Sequence, residues 1–282
     1  MGFSNLSDYA AKVLEGGQSH SSTFRKTTTA VTTAGIWFDG SMASGHPIAN
    51  FYASSPVVAA NLLGREGIQN GADQSPAQKY IKRITAMCSV APTNLLFLDL
   101  LLYYPFIDGD TTGPQPLDNT VASLQRYQTG LDVSAFIVAQ GAYTGGAQFF
   151  ITYTNQDGVP GRISQLVTSN TAGVAGSVVN SGPVAGSRGW KIPLQGKDTG
   201  IRSVENFEFL TANGGIFALV LAKDIGVVSI LEANVPAEKD FLIDTGLNLP
   251  PIADGAFLSY LILPSASVAN APIYGSIQTV WG

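Results

Sequence analysis

The chain holds little of what chemistry is usually built from. Histidine occurs twice, at His20 and His46, and cysteine once, at Cys88. His20 lies in a polar stretch and His46 precedes Pro47 in loop-like text, so they make neither an HExxH motif nor a three-ligand zinc site. They are also poor material for a Ser–His–Asp triad. A single cysteine excludes an intrachain disulfide. Among the apolar neighbours of "ITAMCSVAP", Cys88 reads as a buried, inert thiol. No GxSxG is present, and "GKDT" at 196–199 lacks both the upstream glycine and the Ser or Thr directly after the lysine that a phosphate-binding loop needs. Nothing designates a catalytic, cofactor-binding or metal-binding residue, and none is expected.

Charge is also scarce. Charged residues are 12% of the chain, about half the usual fraction, and the formal net charge is −5. The basic runs are short, "FRK" at 24–26 and "IKR" at 81–83, which argues against nucleic acid as a partner. A surface this neutral, with 45% hydrophobic residues, suits contact with another subunit better than isolation in water. Long apolar runs are missing too. The most apolar stretch, Leu95 to Ile107, is interrupted by Asp99 and Pro105 and falls short of the about 20 residues that a membrane helix requires. The opening "MGFSNLSDYAAKVLEGG" has no basic n-region or apolar h-region, so no secretory signal is expected.

What is present is strand text. In "TNLLFLDLLLYYPFIDGD" (93–110), alternation puts Leu95, Phe97, Leu101 and Tyr103 on one side. Leu96, Leu98, Leu100, Leu102 and Tyr104 fall on the other. A strand covered on both faces has this pattern, closed by Pro105 and the Asp108-Gly109-Asp110 turn. Further strands are predicted near 28–38, 80–90, 132–140, 147–154, 163–167, 174–180, 189–193, 203–211, 215–222, 227–231, 256–263 and 273–280. Glycine-bearing turns at 144–146, 155–158 and 213–215 separate some of them as hairpins. A helix over 4–15 is capped by Ser4, striped by Leu6, Tyr9, Val13 and Leu14, and stopped by Gly16-Gly17. A short helix at 56–63 fits as well. The Ser/Thr-rich text after the first helix reads as an extended arm.

The expectation is therefore an all-β protein: an antiparallel β-sandwich or jelly-roll-like domain, preceded by a short N-terminal helix and extended arm over 1–27. The β region over 28–282 divides into two packed subdomains, about 28–130 and 131–282. Two loose similarities suggest related halves: "FLDLLLYYP" (97–105) with "FLSYLILPS" (257–265), and 136–158 with 207–226.

The segment "IDGDTTGPQPLDNT" (107–120) gathers Asp108, Asp110, Asp118 and Asn119. Asp108 and Asp110 are close enough in sequence to share Ca²⁺, but no EF-hand is completed, and a solvated turn explains them as well. No carboxylate pair is singled out for glycoside hydrolysis. The aromatics that would line a sugar cleft, Trp37, Trp190 and Trp281, are far apart in the chain.

Four segments carry a resemblance: "LLYYPFIDGD" (101–110), "LQRYQTGLDV" (124–133), "ITYTNQDGVPGR" (151–162) and "DTGIRSVENFEFLTANGGIFALVLAKDI" (198–225). Together they resemble a family of tailed-bacteriophage virion structural proteins, over roughly residues 80–225. The resemblance implies an accessory capsid protein of the decoration or cement type, made in the host cytoplasm and located in the virion. Its partners would be the major capsid protein or other virion proteins, and itself as a homo-oligomer, a trimer above all. No enzyme activity, cofactor, nucleic acid or membrane enters this reading. The alternative is a tail, head-fibre or adsorption protein that binds host surface glycans through grouped aromatics such as Trp37, Tyr143 and Trp190.

Overall fold

The computed structural model describes residues 2–52, 55–171 and 173–282. The long strands are β1 (Ser19–Thr27), β2 (Lys79–Cys88), β3 (Thr93–Asp108), β4 (Val133–Ala139), β5 (Gln148–Asn155), β6 (Ile201–Phe209), β7 (Ile216–Ile230), β8 (Phe257–Pro264) and β9 (Ile273–Trp281). They form three antiparallel sheets, so the all-β sandwich expectation holds. The first sheet runs β2-β9-β1, with Ala237–Asp240 and Pro251–Ile252 on β2 and Ser44–His46 on β1. The second runs β8-β3-β7-β4, and the third has β6 on one edge of β5 and the short pairs at 162–163 and 167–168 on the other.

The middle sheet is longer along its strands than its neighbours, because β3 has 16 residues and β7 has 15. One end of it packs on the first sheet, where Leu95, Phe97, Val228 and Tyr260 meet Phe24, Ile84 and Ile277. The other end packs on the third sheet, where Tyr104, Ile107, Phe217 and Leu219 meet Phe149, Ile151 and Phe207. The opposite face carries Leu96, Leu98, Leu100, Val220 and Phe136, and irregular segments cover it with Trp37, Tyr52, Leu62 and Trp190. Residues 95 to 105 of β3 are thus buried without a break, on both faces. Each fully buried Leu or Phe contributes about 1.5–3 kcal/mol relative to exposure.

The alternation read from the sequence fails after Leu101. Leu100 faces Ala222 and Leu102 faces Leu221, so Leu101 is an extra residue in β3. This bulge turns Leu102 and Tyr104 into the third-sheet core and Tyr103 onto the opposite face. A second bulge follows at Pro105 and Phe106, between Tyr104↔Leu219 and Ile107↔Phe217. Proline has no N–H to give the ladder, and Phe106 takes a left-handed φ of 57°. A third bulge at Ile225 lets one strand run through 222–227. The two strands predicted at 215–222 and 227–231 are therefore one.

The stretch read as an arm is β1. It pairs with β9 from Ser19↔Val280 to Lys26↔Ile273 and with Ser44–His46 on its other edge. Its even positions Phe24 and Lys26 are buried, while Ser21, Thr23 and Arg25 are exposed. The strand predicted over 28–38 shrinks to Phe38–Asp39, and 56–63 forms no helix but the short strand Ala60–Asn61. Nor do 174–180 and 189–193 form strands beyond isolated bridges such as Val138↔Val178. The N-terminal helix starts at Leu6 and widens into a π-helix over Ala10–Glu15. Its cap is Asn5, whose side chain accepts from the Asp8 N–H, rather than Ser4. Only Tyr9 and Val13 of the expected stripe are buried, since the wider turn carries Leu14 out of line with them.

The sheets do not follow a division at residue 130, because β2 pairs with β9 and β3 with β7 and β8. The similar segments 97–105 and 257–265 are antiparallel neighbours, with Phe97 opposite Tyr260. The glycine turns at 144–146 and 213–215 close no hairpins. Each carries the chain between sheets, β4 to β5 and β6 to β7. The two crossings lie against each other, with Thr144 N donating to Asn213 O at 2.8 Å.

Candidate functional site

Two buried carboxylates, Asp39 and Asp99, and a half-buried one, Asp198, tie the irregular segments to the sheets. Asp39, fully buried, accepts from Ser41 N at 2.8 Å, Ser41 Oγ at 2.9 Å and the Tyr52 hydroxyl. Burial raises its pKa despite those donors. Nearby, Lys26 Nζ donates to the carbonyls of Ser41, Pro47 and Ile48 at 3.2, 2.9 and 3.2 Å. Burial pushes this ammonium down to about 8, against the attraction of Asp39. Asp99, the single charge in the apolar stretch of β3, faces Arg126. Burial raises the Asp99 carboxyl, and Arg126 opposes that shift. Asp198 accepts from Arg162 Nε at 2.8 Å, the Tyr153 hydroxyl at 2.7 Å and Asn155 Nδ2 at 2.9 Å. The Arg162 hydrogen bond is the main reason its pKa falls to about 2. These donors and acceptors are taken up inside the fold, which makes each cluster a tie between segments.

Two clefts open near the end of the middle sheet that packs on the third sheet. The first, of about 500 Å³, is lined by Tyr104, Asn119, Gln125, Gln128 and Arg202. Three of its polar groups are engaged: the Tyr104 hydroxyl donates to Asn119 Oδ1 at 2.7 Å, and Arg202 Nε donates to the carbonyls of Thr129 and Gln156. The second, of about 470 Å³, is mostly apolar and is lined by Phe51, Phe106, Gln140, Ala142 and Ile216. Gln140 holds it together. Its N–H donates to Ile216 O at 2.8 Å, its Oε1 accepts from Phe106 N at 3.2 Å, and its Nε2 donates to Phe51 O at 3.1 Å. Phe51 is 58% exposed, Ile216 44% and Phe106 36%. Three apolar side chains are thus presented to solvent from a backbone fixed by one glutamine. Exposed apolar side chains grouped this way are characteristic of contact surfaces.

The residues weighed for chemistry lie apart. His20 pairs with Thr279 at one end of β1 and His46 with Arg25 at the other. Cys88 is buried, and burial pushes its thiol up. The Asp108 carboxylate serves its own turn, accepting from Asp110 N at 3.0 Å and Thr111 Oγ1 at 2.6 Å. Asp118 likewise accepts from Thr120. Among the described residues, no three His, Cys, Asp or Glu side chains are grouped to hold a metal ion, and no helix is long and apolar enough to cross a membrane. Trp37 and Trp190 both pack against the covered face of the middle sheet, while Tyr143 lies in the third-sheet core with its hydroxyl on Asn170. Tyr143 therefore lies on the other face of the middle sheet from Trp37 and Trp190. Nothing in the sequence marks Phe51 and Phe106, since one stands in loop text and the other continues an apolar strand.

The fold defines a three-sheet antiparallel β protein. No family model matches the chain, and no curated protein matches it. One solved structure, of infectious bursal disease virus Gt strain, aligns over 93% of this chain and 78% of that one, at 9% identity and a TM-score of 0.18. A likeness of that size carries no argument about fold or function.

Proposed function

We propose that the chain is a structural protein of a virus particle: a decoration or cement protein on the head of a tailed bacteriophage, bound to its major capsid protein. The observation that supports this reading is the cleft of Phe51, Phe106 and Ile216, three exposed apolar side chains on a backbone pinned by Gln140. A low-charge β body with internally tied carboxylates offers contact area rather than chemistry. Such interfaces draw on apolar burial, worth about 25 cal/mol per Å², and much of that is lost to the entropy of association. Repeated engagement recovers it, so the protein acts as a homo-oligomer, a trimer gripping several shell subunits.

The test is attachment to particles. Gel densitometry of purified virions is expected to show hundreds of copies, and retention is expected to change little in about 1 M NaCl, since screening weakens mainly exposed charge pairs. A handful of copies would favour the tail, and release in salt would overturn apolar attachment. Light scattering of the isolated protein tests the trimer.

A further inference from the structure

β2 begins with a lysine that faces inward. Lys79 is 1% exposed and Asn70 is 7% exposed. Lys79 Nζ stands 2.7 Å from Asn70 Oδ1 and 3.3 Å from the Ala72 carbonyl. The asparagine is held from its other side, where Nδ2 donates to Ala256 O at 3.0 Å. Its backbone carbonyl accepts from Thr279 Oγ1 at 3.1 Å. The Asp254 carboxylate lies 3.9 Å from Nζ and accepts from the N–H groups of Gln74 and Ser75 at 3.0 Å each.

Burial lowers the lysine's hold on its proton, against the attraction of Asp254 and Asp73. The site therefore sets a lysine that gives up its proton more readily than usual in contact with a fixed carboxamide, with a carboxylate near enough to take the proton. Two small clefts flank it. One, of about 250 Å³, is lined by Asn70, Asp73 and Gly255, and the other, of about 190 Å³, by Ser75, Lys79 and Asp254. A small leaving group has a way out.

We propose that Lys79 and Asn70 join in an intramolecular isopeptide bond, with Asp254 as the proton carrier. Asp254 takes one proton from the Nζ ammonium. The freed amine attacks Asn70 Cγ and forms the new C–N bond. A second Nζ proton passes to Nδ2, and the Cγ–Nδ2 bond breaks. Ammonia leaves, and with the proton returned by Asp254 it departs as ammonium. Lysine ammonium plus carboxamide become secondary amide plus ammonium, with no oxidant or reductant. The bond ties the 70–79 loop to the start of β2, and it does not depend on the virion reading.

The experiment is the intact mass of the denatured full-length protein. It is expected to fall below the sequence mass by one ammonia, and digestion is expected to give a branched peptide joining Asn70 to Lys79. The full sequence mass would overturn the proposal. So would a linear peptide in which the loss is confined to Asn70-Gly71, since that product is a cyclic imide. Lys79→Arg is expected to restore the full mass, and Asp254→Ala to leave most molecules unlinked. Linkage in Asp254→Ala as complete as in the wild type would remove Asp254 from the mechanism. The wild-type mass decides the bond itself even where a variant does not fold.

Discussion

Arg126 meets Asp99 through two hydrogen bonds, Nε to Oδ2 at 3.1 Å and Nη2 to Oδ1 at 2.9 Å. Asp99 also accepts from Phe257 N at 3.0 Å, and Arg126 reaches the Leu100 carbonyl at 2.8 Å. The pair sits between β3 and β8, with the carboxylate fully buried. Removing one partner leaves an unpaired charge in the core. Arg126→Met is expected to cost about 3–5 kcal/mol in urea unfolding, and the double variant Arg126→Met/Asp99→Leu to cost less than the single one. A double variant less stable than Arg126→Met would show that the buried pair contributes more than its desolvation takes away.

Acid acts through Asp198. Its folded pKa, about 2, lies below the about 3.9 of an unfolded aspartate. The unfolded chain then binds the proton more tightly, so the stabilisation is complete above about pH 4 and is lost as pH falls toward 2. Asp198→Asn is expected to be less stable at pH 6, with the gap to wild type closing across that window. Urea midpoints from pH 2 to 6 measure it, and a constant gap would refute the assignment.

Phe106 separates attachment from folding. Its left-handed φ of 57° disfavours a residue with a Cβ by about 1–2 kcal/mol, and relief of that strain offsets the loss of the exposed ring's contacts. Phe106→Gly is expected to stay within about 1 kcal/mol of wild-type stability, far from the about 3–5 kcal/mol of a core Phe→Ala change. The same variant is expected to bind particles measurably less. Undiminished binding would move the contact surface elsewhere.

Truncation distinguishes helix from strand. Removing residues 1–16 takes away a short docked helix and is expected to leave a folded protein. Removing 1–27 takes β1 out from between β9 and Ser44–His46 and strips Phe24 from Phe97 and Tyr260, its ring neighbours at 5.8 and 5.3 Å. That protein is expected to lose cooperative thermal unfolding by circular dichroism. A sharp transition in the longer truncation would contradict the strand's place in the sheet.

The two-faced burial of β3 was legible because eleven consecutive residues, 95–105, carry one charge and otherwise apolar or proline side chains. The inner register was not, since nothing in "LLLYY" marks Leu101 as the residue without a partner. β1 hid behind serine and threonine, whose polarity suggested an arm although Phe24 and Lys26 keep the strand period. The glycines at 144–146 and 213–215 mark places where one strand ends before the next begins, but not the hairpins expected there. Local backbone freedom does not reveal whether the next strand pairs with the last or crosses to another sheet. The Phe51–Phe106 cleft depends on Gln140, which touches both only through the fold.

β3 and β7 belong to both packed ends of the molecule at once. A strand of 16 residues reaches about 50 Å, and β7 runs beside it across the same span. Neither end can tilt without bending that shared pair. A load applied at the Phe51–Phe106 end is carried along covalent chain and ladder hydrogen bonds to the Phe24 end. The shared pair forms a beam along one axis of the molecule, and under the proposed attachment to a shell such beams would resist outward pressure wherever they bridge its subunits.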